Sequence, residues 1–155
     1  MEFLLFLTAK EKEILDLIYK AKFSIEENTP LCLLGDSFFG FFKKEKRTIV
    51  ICTENAKRIG GYYIPKPFKD NDNDATGRIV RRALRHESVH AAQMCNKGNV
   101  IIENGKKKLF VHPYKRKSLE TSIALSPESK KREYEAYSIE DKANIIIAGL
   151  KKYCL

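Results

Sequence analysis

The feature that most constrains this chain is the pentapeptide "HESVH", which spans His86 to His90 within the stretch "RRALRHESVHAAQMC". Residues four apart lie on one face of an α-helix, so both imidazoles can direct a ring nitrogen at a single point. Glu87 is rotated by about 100° around the helix axis, from where it can reach the open side of an ion without being a ligand. The H-E-x-x-H spacing therefore predicts a zinc-binding helix with a general base beside the metal.

Small and apolar residues surround the motif and predict that its helix is buried. The helix is expected from about residue 75 to 94, and these residues are Ala83, Leu84, Val89, Ala91 and Ala92. Two histidines in a buried helix need polar partners, and a zinc ion would satisfy both at once. A motif of this length can also arise by chance, in which case the two histidines are only structural.

A catalytic zinc ion usually has three protein ligands and one water molecule, so a third ligand must come from elsewhere in the chain. Glu133 and Glu135 of "KKREYEAYSIED" are the main candidates, and they point about 200° apart on a helix. Glu133 is preferred because its face carries the small Ala136, which allows close approach to the zinc helix. Glu135 stays open as the alternative. His112, in "VHPY", is a weaker candidate for a three-histidine site.

The remaining pattern predicts a single α+β domain over residues 1–155, with an N-terminal helix at about 9–23 and a core over about 47–155. After the first helix, the expected elements are a strand or turn in "TPLCLLGDSFFGFF", a strand at 47–55, the zinc helix, a β-hairpin of 100–102 and 109–111 around Asn104–Gly105, a helix opened by Ser126–Pro127, and a closing helix from about 142. β-branched runs bounded by turn formers indicate the strands, and Asn-Gly indicates the hairpin. The zinc helix is expected to pack on a short sheet.

The N terminus and the cysteines bear on the cellular compartment. "MEFLLFLTAKEKE" has an acidic residue where a signal peptide needs basic ones, and its apolar run is too short for export or a membrane span. Thr8 followed by Glu11 instead predicts a capping box. The cysteines at positions 32, 52, 95 and 154 show no C-x-x-C spacing, so they are predicted to be buried thiols. A cytoplasmic location without a membrane span is therefore expected.

The net charge of +9 favours acidic partners without identifying one. Nucleic acid is one such partner, since Arg78, Arg81, Arg82 and Arg85 directly precede the zinc motif. These arginines lie around several faces of their helix, however, and no motif of stacking aromatic and basic residues accompanies them. The charge alone therefore predicts no specific nucleic-acid site.

The aspartates at positions 70, 72 and 74 alternate like the start of a calcium loop. Ala75 and Arg81 stand where an EF-hand needs glycine and glutamate. Because carboxylates favour helix N-termini, Asp70, Asp72 and Asp74 are predicted to form a solvated loop that caps the zinc helix.

H-E-x-x-H followed by a glutamate on a downstream helix resembles the gluzincin metallopeptidases. Within that group, "IVICTEN", "RALRHESVHAAQMC" and "REYEA" are similar to segments of the small mitochondrial inner-membrane metallopeptidases and of compact bacterial gluzincin domains. The resemblance covers about residues 48 to 141 and implies a zincin-like fold. Its E-x-x-A motif maps onto Glu133–Ala136 and favours Glu133, whereas a thermolysin-like alignment favours Glu135. Many members carry Asp or Asn after that alanine to orient a ligand histidine, but this chain has Tyr137.

Together these features predict a zinc metalloendopeptidase that acts on a peptide or protein substrate. His86, His90 and Glu133 would hold Zn²⁺, while Glu87 would take a proton from the attacking water and return it to the leaving amine. The hairpin is expected to offer an edge strand with which an extended substrate pairs. The alternative is a regulatory or nucleic-acid-associated protein with a structural zinc site. Such sites usually have four ligands rich in cysteine, and Cys95 lies too far along the helix to complete one.

Overall fold

The computed structural model describes residues 1–61, 74–102 and 109–155. Six α-helices lie in these ranges: α1 (Ala9–Lys20), α2 (Thr53–Gly60), α3 (Ala75–Cys95), α4 (Arg116–Leu125), α5 (Lys130–Ile139) and α6 (Ala143–Cys154). The strands are β1 (Ser24–Glu27), β2 (Gly40–Lys43) and β3 (Thr48–Ile51). The predicted α+β class is confirmed, because a small three-stranded sheet packs against a mostly helical domain.

β3 is the central strand of the sheet, whose order is β1-β3-β2. β1 runs parallel to β3, with Ser24 opposite Thr48. β2 runs antiparallel to it, with Gly40 opposite Ile51. The last three residues of β3 are completely buried, as expected for a β-branched strand that is covered on both faces. β2 therefore forms one edge of this sheet, and it packs on α3.

The core is built around α3, which contacts α1, α2, α5, α6, β2 and β3. Val80, Leu84 and Ala91 are fully buried, at spacings of four and seven residues that line one helix face. Asp74 caps the helix, since its side chain accepts a hydrogen bond from the Gly77 N–H at 2.9 Å. The predicted aspartate cap is confirmed at Asp74, but Asp74 is buried rather than solvated, and the other two aspartates lie outside the described residues.

The N-terminal segment is tied to the core rather than extended from it. Residues Glu2–Phe6 form a 3₁₀ turn in which Phe3 and Phe6 are buried. The predicted capping box at Thr8 and Glu11 is present at the start of α1. Among the described ranges, no helix combines the length and the apolar content that crossing a bilayer requires.

Several predicted bounds are wrong, because local pattern does not show where an element stops. α1 ends at Lys20 rather than at residue 23, and Lys22 has a positive φ of 66° that breaks the helix. The strand predicted at 47–55 ends at Ile51, because Thr53 begins α2. β1, α2 and α4 were not predicted. The helix expected from Ser126 opens with a 3₁₀ turn at Pro127–Ser129 before α5, whereas the closing helix is confirmed as α6.

The predicted hairpin is not present in the part of the chain that the structure describes. Residues 100–102 and 109–111 contain no strand, and the expected turn at 104–105 lies outside the described residues. The physical reason is visible at the first arm. The N–H groups of Ile101 and Ile102 donate to the carboxylate of Glu135, at 2.8 and 3.0 Å, rather than to a second strand.

The prediction that the four cysteines are buried thiols is wrong. Cys32 is bonded to Cys52, and Cys95 to Cys154. The first disulfide joins the 3₁₀ turn Pro30–Leu34 to the end of β3, and the second joins the C-terminal ends of α3 and α6. Disulfides persist mainly in oxidising compartments, so the expected cytoplasmic location loses the support that free thiols would have given it.

Candidate metal centre

The α3 helix brings His86 and His90 together, as their four-residue spacing requires. Their Nε2 atoms lie 3.3 Å apart, and the His86 side chain is largely buried. Two nitrogens bound tetrahedrally to one zinc ion at about 2.0–2.1 Å are themselves about 3.3–3.4 Å apart. The two imidazoles therefore already have the separation that a shared tetrahedral ion imposes.

Glu133, on the first turn of α5, lies beside both histidines. Its Oε1 is 2.6 Å from Nε2 of His90, and its Oε2 is 3.6 Å from Nε2 of His86. One donor atom from each of the three residues lies within 4.8 Å of the other two. Two imidazole nitrogens and one carboxylate form a donor set that suits a divalent transition metal such as zinc. Among the described residues, His86, His90 and Glu133 form the group whose donor atoms are close enough to share one metal ion.

Glu135, the alternative ligand, is turned away from this cluster and is completely buried. Its Oε1 accepts hydrogen bonds from Gln93 Nε2 at 2.9 Å and from the Ile101 N–H, and its Oε2 accepts one from the Ile102 N–H. A buried carboxylate needs such donors to offset its desolvation. Glu135 therefore fastens the segment after α3 to α5 instead of facing the histidines.

Each of the two histidines has a hydrogen-bond partner on its other ring nitrogen. His86 Nδ1 lies 2.8 Å from Glu140 Oε2, and His90 Nδ1 lies 2.8 Å from Gln93 Oε1. Gln93 is fixed in turn, because its Nε2 donates to Glu135 and to the Arg132 carbonyl. A histidine that donates from Nδ1 keeps its Nε2 lone pair for a metal. Both rings are thereby oriented with Nε2 towards Glu133.

The pKa values within the cluster reflect close contact between opposite charges. Burial alone would lower the pKa of His86, but hydrogen bonds to Glu133 and Glu140 outweigh burial and raise that pKa well above 6.5. Burial would raise the pKa of Glu133, but hydrogen bonds to the two histidines hold it below its ordinary value of 4.5. The site thus favours positive charge between the imidazoles and the carboxylate, and a divalent cation can supply that charge in place of a proton.

Glu87 is buried beneath the edge strand β2, next to the three candidate ligands. A Cβ atom at Gly40 would lie 3.0 Å from Glu87 Cγ and 3.1 Å from its Oε1, so the absence of a side chain at position 40 makes room for this carboxyl. Burial raises the pKa of Glu87 above 4.5, although the charges of His86 and His90 oppose the increase. A raised pKa suits a carboxyl group that first accepts a proton and then returns it.

Two aromatic rings flank the imidazoles from opposite elements. Phe42 of β2 stacks on His90 with ring centroids 6.4 Å apart. Tyr137 of α5 packs against His86 at 4.4 Å, and its hydroxyl lies 2.9 Å from Ser122 Oγ on α4. The two histidines of α3 therefore lie between β2 on one side and α5 on the other.

The remaining sequence candidates do not join the cluster. His112 is exposed and contacts Phe110 and Tyr114 through its ring. A cleft of about 360 Å³, lined by residues of α2 and of the segment from Asn28 to Leu33, shares no residue with the metal cluster. Neither feature adds a ligand to the candidate site.

Sequence reasoning did not identify Gln93, Glu140 or Gly40 as parts of the site. Gln93 follows His90 by three residues and Glu140 follows Glu133 by seven, and both spacings return to the same helix face. The helical spacing of Gln93 and Glu140 therefore indicates that both lie on the side of the candidate ligands. Gly40 had no comparable signal, because its proximity to Glu87 depends on how β2 packs on α3.

Comparison with known proteins adds a family assignment. Neither a curated protein nor a solved structure matches the chain. The family described as Domain of unknown function (DUF8637) matches residues 3–155. The chain therefore belongs to this family.

Proposed function

We propose that this protein is a zinc-dependent metalloendopeptidase with a zincin-like site. The observation that carries the proposal is the convergence of His86 Nε2, His90 Nε2 and the Glu133 carboxylate, with atoms from all three within 4.8 Å of one another. The buried carboxyl of Glu87 lies beside them. Three protein ligands leave one position of a tetrahedral ion open, which is the arrangement of catalytic rather than structural zinc sites.

The chain's own residues have separate tasks in this proposal. His86, His90 and Glu133 would bind the ion, and a bound zinc ion would lower the pKa of a water molecule and polarise a carbonyl. Glu87 accepts a proton from the attacking water and then donates it to the leaving amine. The carboxyl lies against Gly40 of β2, where a Cβ atom would be 3.1 Å from its Oε1.

The edge strand β2 is the proposed binding surface for an extended peptide. It replaces the hairpin in this role, since it lies directly over Glu87 and Phe42 of the same strand stacks on His90. Its side away from β3 pairs with no strand among the described residues. A substrate that added a strand there would gain backbone hydrogen bonds and run past the metal cluster.

The nucleic-acid alternative receives less support from the arginines of α3. Arg81 pairs with Asp74 at 3.1 Å, Arg82 with Asp141 at 3.2 Å, and Arg85 with Asp141 at 3.4 Å. Guanidinium groups that already pair with carboxylates of the same fold are less available to neutralise phosphates, so they add little to the counterion release that drives nucleic-acid binding. A specific observation in favour of this second function is therefore lacking among the described residues.

The proposal is tested with Glu87→Gln, and Glu120→Gln serves as the matched control because Glu120 is exposed on α4. Both variants are expected to bind one zinc ion per chain, as measured by elemental analysis. Cleavage of an unfolded protein substrate should be abolished by a chelator. Glu87→Gln should lower kcat by about 10²–10⁴-fold, the usual contribution of general acid–base catalysis. Full activity in this variant, or cleavage that survives metal removal, would contradict the proposal.

A further inference from the structure

Lys115 is a buried lysine that lies outside the candidate ligand set. It ends the 3₁₀ turn Pro113–Lys115 and is only 7% exposed. Its Nζ donates to the carbonyl of Tyr137 at 3.1 Å and to Asp141 Oδ2 at 2.7 Å, and it lies 2.9 Å from Glu140 Oε1. Burial disfavours the ammonium, but hydrogen bonds to Asp141 and Glu140 outweigh burial and raise the pKa of Lys115 above 10.5.

Glu140 connects this lysine to the metal cluster. Glu140 directly follows the last residue of α5 and is only 3% exposed. One carboxylate oxygen contacts His86 Nδ1 at 2.8 Å, while the other contacts Lys115. Arg82 Nε is a more distant neighbour, 3.7 Å from the second oxygen. Each oxygen of Glu140 thus has a separate partner, and the two contacts together fix the plane of the carboxylate.

We propose that Lys115 is a positioning residue of the metal site, because it holds the Glu140 carboxylate in the orientation that directs His86 towards the ion. A charged partner on Nδ1 fixes the tautomer and ring orientation of a ligand histidine and increases its basicity. Without Lys115, the buried carboxylate of Glu140 loses the ammonium group that contacts its Oε1. His86 then keeps a hydrogen-bond partner whose own position is no longer defined.

This assignment differs from a purely structural role, in which Lys115 only ties the segment before α4 to the end of α5. A structural role predicts that any loss of these ion pairs lowers stability and leaves metal affinity unchanged in the folded protein. A positioning role predicts weaker metal binding even in variants that remain folded. A substitution of Asp141 distinguishes the structural role from the positioning role. Asp141 also binds Lys115, but it has no contact with His86 among the described hydrogen bonds and ion pairs.

The experiment measures zinc affinity of the full chain by competition with a chromophoric chelator, and the folded state by circular dichroism. The variants are Lys115→Gln, Glu140→Gln and the matched control Asp141→Asn. Glu140→Gln is nearly isosteric and retains an acceptor for His86, so it removes mainly the charge. The zinc Kd is expected to rise about 10–100-fold in Glu140→Gln and about tenfold in Lys115→Gln. Asp141→Asn, at a partly exposed ion pair, should stay within about twofold of the wild type.

Each outcome has a defined meaning. The inference rests on the metal site of the proposed function, but the two fail in different ways. If the wild-type chain binds no zinc, the metal site itself is wrong. If the wild type binds zinc and folded Lys115→Gln binds it equally well, or if Asp141→Asn loses as much affinity as Lys115→Gln does, the positioning role is overturned. If Lys115→Gln does not fold, Lys115→Met, which keeps the length of the side chain and removes its charge, takes its place, and an unchanged zinc Kd in that folded variant overturns the positioning role.

Discussion

Replacing Glu133 or Glu135 by alanine should separate metal affinity from fold stability, although the two residues lie only two positions apart on α5. Glu133 contacts the Nε2 atoms of both histidines and little else among the described hydrogen bonds and ion pairs. Glu135 holds the backbone after α3 and the side chain of Gln93. Opposite phenotypes are therefore expected from neighbouring substitutions of the same type.

The expected magnitudes follow from the contacts that each substitution removes. Four-ligand zinc sites contribute about 10–16 kcal/mol, so one ligand is worth about 2.5–4 kcal/mol if they share equally. Glu133→Ala should therefore weaken zinc binding by about 10²–10³-fold. Glu135→Ala removes the acceptor of three hydrogen bonds, two of them buried, and a buried donor that loses its acceptor costs about 1–3 kcal/mol. A loss of about 3 kcal/mol in the free energy of unfolding lowers Tm by about 6–12 °C in a chain of this length.

The assay combines zinc titration with thermal unfolding of the metal-free proteins. Glu133→Ala should lose zinc and lower Tm by less than Glu135→Ala does, because it removes only the ion pairs with the two histidines. Glu135→Ala should unfold earlier and, while folded, lose at most about tenfold in zinc affinity through its contact with Gln93. The reasoning is refuted if Glu135→Ala alone releases zinc, or if Glu133→Ala is the strongly destabilised variant.

Three further predictions concern the disulfides, the space at Gly40 and the pH dependence of stability. Reducing both disulfides should lower the free energy of unfolding by about 3 and about 4 kcal/mol for the loops of about 20 and 59 residues, as measured by urea unfolding with and without reductant; unchanged curves would contradict the pairing. Gly40→Ala should leave zinc content intact but lower kcat by about 10–100-fold, because its Cβ would displace Glu87; an unchanged kcat in steady-state assays would show that Glu87 needs no such space. In the metal-free protein, the raised pKa of His86 gives stability that is lost as pH rises above 6.5, and the lowered pKa of Glu133 gives stability that is lost as pH falls below 4.5. Tm of the metal-free wild type should therefore be highest between these values, and Glu133→Gln should flatten that maximum, so an identical pH profile in the variant would count against the ion pair.

The parts of the fold that could be predicted are those encoded by local spacing. The bounds of α3 follow from the Asp74 cap and from apolar residues that repeat with the helical period. The position of His86 and His90 on the same face of α3 follows from their four-residue separation alone. Local signals of this kind are independent of the rest of the fold, which explains why they can be interpreted from one sequence.

The parts that could not be predicted depend on contacts between distant segments. The Cys95–Cys154 bond joins two cysteines that are 59 positions apart, and nothing in the spacing of four cysteines selects the pairing. The apparent hairpin fails because Glu135 takes the N–H groups of its first arm. The role of Glu140 likewise depends on Lys115, which reaches it from a different segment. Long-range pairings of this kind leave no periodic signal in a single chain.

Anomalous diffraction at the zinc edge, from crystals grown with stoichiometric zinc, tests the central claim most directly. One ion per chain is expected at about 2.0–2.2 Å from His86 Nε2, His90 Nε2 and a Glu133 oxygen, with a solvent molecule as the fourth ligand. An ion bound by other residues, an ion with four protein ligands, or a chain that binds no zinc at these residues would contradict that claim.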